Sequence, residues 1–147
     1  MITVQLESDG VDLPTIDGNW ISGICENILT DHHHSEAALT IVFSTDTKLR
    51  KLKKEYFDRK NILVEGLNDI NGISCVDPGG AMYVFPNIKE TGMTSDEFSE
   101  YVLGKIGIGV LPGNNFGANG EGYIRMCYST SQKNIKEALS RLKILFK

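Results

Sequence analysis

Cysteine is scarce in this chain: Cys25, Cys75 and Cys127 are an odd number, far apart, with no Cys-x-x-Cys pair. That argues against a disulfide framework or a zinc site and predicts reduced thiols in a cytoplasmic compartment. Long hydrophobic runs are also missing. The most apolar stretch, Ala37 to Phe43, is far too short to cross a bilayer. The opening residues, Met1-Ile-Thr-Val-Gln-Leu-Glu-Ser-Asp9, have neither the basic region nor the apolar core of a signal peptide. Positive charge is in short supply, with a net charge of −4, which disfavours general nucleic-acid binding. The expectation is a cytoplasmic protein with no membrane and no nucleic-acid partner.

What remains is an ordinary globular composition, 41% hydrophobic and 23% charged in 147 residues, enough for one domain with a real core. The charge is uneven. Residues 48 to 60 carry Lys48, Arg50, Lys51, Lys53, Lys54, Arg59 and Lys60 against Glu55 and Asp58, a local +5 that leaves −9 elsewhere. A basic helix can track phosphates, but a solvated helix face is the simpler reading.

The first twenty residues are acidic and turn-rich, with no sustained period, and two readings are open for them: a strand and loops, or a partly disordered segment. Trp20 to Leu29 is apolar and helix-like, Asp31-His32-His33-His34 breaks the pattern, and Ser35 to Phe43 resumes it. A long helix starts near Asp46 or Thr47, with Leu49, Leu52, Tyr56, Leu63 and Leu67 at helical spacing. Ile73 to Val76, the turn Asp77-Pro78-Gly79-Gly80, and Ala81 to Phe85 read as a β-hairpin. Thr94-Ser-Asp-Glu97 is a capping box ahead of a helix with Phe98, Tyr101, Val102 and Ile106 on its apolar face. Ile108 to Leu111 and Tyr123 to Tyr128 read as short strands. A last helix begins near Thr130-Ser131 and turns Ile135, Ala138, Leu139, Leu142 and Leu145 inward. The predicted class is α+β, about three helices against a small, mostly antiparallel sheet.

Arg125 stands out as a charge in an apolar strand, sharing one strand face with Tyr123 and Cys127. A guanidinium keeps its proton even where water is scarce, so it needs an anion, and its planar fork suits a carboxylate. Three readings are open: a carboxylate clamp, an internal ion pair with Glu121, or an edge strand exposing its charge. Tyr83 either lines a pocket or belongs to the core. The glycine-rich loop Pro112 to Gly122 invites a phosphate reading, but a strand rather than a helix follows it, and its spacing matches no phosphate-binding pattern. His32, His33 and His34 are adjacent and lack a carboxylate or cysteine at ligand spacing, so they read as a polar loop and not a metal site.

The strings Leu111-Pro-Gly-Asn-Asn-Phe-Gly117 and Gly120-Glu-Gly-Tyr-Ile-Arg-Met-Cys-Tyr-Ser-Thr-Ser131, with Gly79-Gly-Ala-Met-Tyr-Val-Phe-Pro-Asn-Ile88 upstream, resemble the C-terminal small domain of class I/II aminotransferases. The likeness is continuous from about Ala37 onward, with a weaker echo back to Trp20. It divides the chain into an N-terminal segment, 1–36, and a small-domain segment, 37–147. The resemblance implies a pyridoxal-phosphate enzyme of the aspartate aminotransferase type that moves an amino group between an amino acid and a 2-oxo acid and acts as a homodimer. It assigns Arg125 to the substrate α-carboxylate and sets the glycine loop beside the active site. Such enzymes also hold the cofactor on a lysine that follows small hydroxyl residues and precedes a glycine and an arginine. Thr45-Asp46-Thr47-Lys48 imitates the start of that motif, but Leu49-Arg50-Lys51-Leu52 follows, so Lys48 reads as a helix residue and the attachment site is absent from these residues. The expectation is a truncated, inactive aminotransferase whose apolar 37–43 segment promotes self-association. The alternative is a carboxylate-binding or protein-interaction module derived from the same fold, and the weakest is a nucleic-acid binder using the basic helix.

Overall fold

The computed structural model describes residues 2–10, 17–31 and 37–147. The chain forms two compact units, 1–52 and 53–147. His32, His33 and His34 lie outside the described residues.

In the first unit, β1 (Ile2–Asp9) and β2 (Ala37–Ser44) pair in parallel from Ile2↔Ala37 to Asp9↔Ser44, with α1 (Gly18–Asp31) between them in sequence. Asp17 starts α1 by accepting the N–H groups of Asn19 and Trp20 at 3.0 and 3.2 Å. The stretch that was expected to resume the helical pattern from Ser35 is instead β2. Its centre, Thr40-Ile41-Val42-Phe43, consists of β-branched and aromatic side chains that pack better on a pleated surface than around a helix.

Helix α2 (Asp46–Asn68) begins one residue from the expected caps: the Thr45 hydroxyl accepts the Lys48 N–H at 3.3 Å. In the second unit, α2 from Lys53 onward, α3 (Ser95–Ile106) and α4 (Gln132–Leu145) surround a three-stranded antiparallel sheet of β3 (Tyr83–Val84), β4 (Leu111–Pro112) and β5 (Ile124–Cys127), in the order β3-β5-β4. The core lies between sheet and helices, where Leu63, Leu67, Val84, Phe98, Val102, Ile124 and Leu142 are essentially inaccessible to water. Phe146, just past α4, stacks on Phe98 with ring centroids 5.2 Å apart. The Thr94–Glu97 capping box is complete in both directions, and Gly107 ends α3 with a left-handed φ of 66°.

The expected hairpin is only partly formed. Ile73 to Val76 makes no strand pairing with Ala81 to Phe85; Ser74 pairs with Asn87 through backbone bonds of 3.0 and 2.7 Å. The Asn68 side chain takes both backbone groups of Cys75, at 2.8 and 3.0 Å, and so fills the place a partner strand would hold. Meanwhile β3 pairs with β5, matching Tyr83 to Cys127 and Val84 to Met126.

Candidate functional site

Strand β5 is the middle strand of its sheet, and its residues alternate strictly: Ile124 and Met126 are buried, while Arg125 and Cys127 face outward. Arg125 is therefore not on an edge. Its register partner on β4 is Leu111. Glu121, the partner proposed from proximity in sequence, points elsewhere: its carboxylate accepts the backbone N–H of Ser95 at 2.9 Å, at the start of α3. Asp96, the other acid nearby, accepts the Asn114 side-chain amide at 2.7 Å. Among the described residues no carboxylate lies within ion-pair distance of the Arg125 guanidinium.

Two aromatic faces cover that guanidinium. Its carbon stands 4.4 Å from the centroid of the Tyr83 ring and 4.3 Å from that of Phe116. Tyr83 is on the outward face of β3, 39% exposed and outside the core. Together with Gly109, Val110, Leu111, Arg125 and Cys127 it lines a cavity of about 230 Å³. The sequence reading did not find Phe116, although it is the single aromatic side chain within 113–120.

The glycine-rich loop winds into two short helical turns, Gly113–Phe116 and Ala118–Gly120. Three of its amides are used internally: Gly113 donates to Tyr123 at 2.8 Å, Gly120 to Gly117 at 2.9 Å, and Gly122 to the buried Ser95 hydroxyl at 2.9 Å. Amides committed in this way cannot cradle a phosphate. Lys48 sits in the first turn of α2, its ammonium paired with Asp9, and no lysine lines the cavity beside Arg125. The described residues lining the cavity beside Arg125 include no lysine, and the bonded loop amides are not free for a phosphate, so these particular groups do not fit a pyridoxal phosphate. The basic stretch is partly neutralised, with Lys54 on Asp58, Arg59 on Glu55 and Lys60 on Asp77. Among the described residues no group of acidic, histidine and cysteine side chains is placed to hold a metal, and no helix is long and apolar enough to cross a membrane.

Comparison with known proteins shows the family. The family model described as aminotransferase class I and II matches residues 19–142. The aspartate aminotransferase of Pyrococcus horikoshii is 47% identical over 94 residues, 64% of this chain and 24% of that protein. The LL-diaminopimelate aminotransferase of Halothermothrix orenii is 35% identical over 131 residues, 89% of this chain and 32% of that protein. Among solved structures, an aromatic aminotransferase from Pyrococcus horikoshii superposes with a TM-score of 0.65 at 38% identity, covering 67% of this chain and 26% of its own. The chain thus spans about a quarter to a third of these relatives. Their names specify different substrates, so the match carries the family and not the substrate. A match over most of the chain, to a fold whose small antiparallel sheet and flanking helices are those seen here, shows that this chain belongs to the class I and II aminotransferases.

Proposed function

We propose that residues 37–147 are the small-domain segment of a class I/II aminotransferase and that Arg125 is its receptor for the substrate α-carboxylate. The observation that carries this reading is a guanidinium on the outward face of a central strand, beside a cavity, with its donors unclaimed by any described carboxylate. Two parallel N–H donors would bind both oxygens of a carboxylate and so orient the rest of the substrate relative to the fork. Tyr83 would line the space the substrate enters. The family uses pyridoxal phosphate to transfer an amino group between an amino acid and a 2-oxo acid. The lysine that holds the cofactor has no counterpart in these residues, so we assign this chain substrate positioning and no chemical step. The free thiols Cys25, Cys75 and Cys127 support a cytoplasmic setting, and homodimer formation is carried over from the family.

The missing attachment lysine favours one alternative: a carboxylate-binding module that has kept the fold without the catalysis. Both readings require a carboxylate to bind at Arg125, and calorimetric titration of the chain with succinate tests this. We expect binding that Arg125→Ala weakens by about tenfold or more and that Arg125→Lys restores poorly, because a point charge lacks the two-point grip. Unfolding by Arg125→Ala, together with no succinate binding by the native chain, would make Arg125 a structural residue and end both readings. Amino-group transfer measured with added pyridoxal phosphate separates them from an active enzyme. We expect none, and turnover abolished by Lys48→Ala would overturn the assignment of Lys48.

A further inference from the structure

The two rings over Arg125 come from different parts of the sheet. Tyr83 belongs to β3 on one side of β5, and Phe116 to the helical turn that follows β4 on the other. Phe116 is itself held in place. It meets Phe85 edge to face at 6.0 Å, and Phe85 stacks on Tyr123 at 5.6 Å. The turn bearing Phe116 is fastened where Gly113 and Gly120 approach so closely that a Cβ on either would collide with the other's backbone. Backbone packing therefore fixes where this ring lies.

A guanidinium with rings over it presents its N–H edge. That edge is best matched by two oxygens in the same plane, which is the shape of a carboxylate. A tetrahedral anion brings a third oxygen out of the plane, toward ring faces whose quadrupole is negative. We propose that Tyr83 and Phe116 are positioning residues that hold the Arg125 guanidinium edge-on to the cavity, so that the site selects flat carboxylates over tetrahedral anions of equal charge. This rests on the reading of Arg125 as a carboxylate receptor.

The test uses the full chain and two doubly charged probes with the same two-carbon spacer, succinate and ethane-1,2-disulfonate. Ring currents should move the Arg125 Nε–Hε resonance upfield of those of Arg50 and Arg141. Phe116→Leu and Tyr83→Leu should each shift it back, while Phe116→Tyr should retain the upfield position. The native chain should prefer succinate by about tenfold, a preference that falls to about twofold in Phe116→Leu and returns in Phe116→Tyr. An Arg125 resonance at an ordinary position, or a preference unchanged in Phe116→Leu while succinate still binds, overturns this inference and leaves the receptor reading standing. Absence of succinate binding to the native chain overturns both.

Discussion

Glu121 reaches across the fold to the backbone N–H of Ser95, 26 residues away in sequence, at 2.9 Å, and in doing so leaves Arg125 without its nearest acid. The carboxylate serves the first turn of α3, where unpaired amides and the helix dipole favour negative charge. Glu121→Ala should therefore destabilise the fold by about 1 kcal/mol and leave succinate affinity at Arg125 within about twofold. Were Glu121 the partner of Arg125 in solution, its removal would free the guanidinium and tighten binding markedly. Chemical denaturation and calorimetry on the same variant distinguish the two outcomes.

Helices α2 and α4 meet closely where Gly66 faces Leu139, and an added Cβ would overlap the leucine's branched end. Gly66→Ala should cost about 1–3 kcal/mol through overpacking, more than alanine's helix propensity of about 1 kcal/mol returns. In a Leu139→Ala background the same change should become neutral or stabilising. A double-mutant cycle in urea reads the coupling directly, and additive effects would refute the close approach.

Burial, and after it the nearby Asp77 carboxylate, push the Cys75 thiol up to about 11. A raised folded value means that the thiol's contribution to stability is complete below its unfolded value of about 8.5 and is lost as pH rises through about 11. Iodoacetamide at about pH 8.5 should alkylate the exposed Cys127 first and reach Cys75 only after unfolding. Cys75→Ala should soften the alkaline loss of stability, leaving the share due to Tyr128, whose hydroxyl burial also shifts upward. Equal alkylation of Cys75 and Cys127 in the native chain, mapped by mass spectrometry, would contradict the buried placement.

In the first unit, the two-stranded parallel sheet has no further strand on either edge among the described residues, and it leaves apolar side chains in water. On β2, Val42 is 53% and Leu39 37% exposed. The chain should associate as its concentration rises, and Val42→Lys should shift it toward monomer. Sedimentation velocity showing one monomeric species at every concentration, with no binding of an apolar dye, would contradict this.

Features set by neighbouring residues were legible in the sequence. The Thr94–Glu97 capping box, the apolar stripes of α3 and α4, and the alternation that puts Arg125 opposite Ile124 and Met126 all follow from helical and strand periodicity alone. Features that depend on which distant groups find each other were not. The expected hairpin failed because an asparagine at the end of α2 claimed the backbone of Cys75, and β2 formed where β-branched side chains outweighed an apparent helical pattern. Arg125 was conspicuous as a lone charge, but its surroundings depended on Glu121 being drawn to α3 and on Phe116 being carried over it by a loop whose glycines touch backbone to backbone. Local periodicity determines which face a side chain is on. Only the closed chain decides what stands opposite it, because hydrogen bonds and ring contacts between residues far apart in sequence exist only once the fold has brought them together.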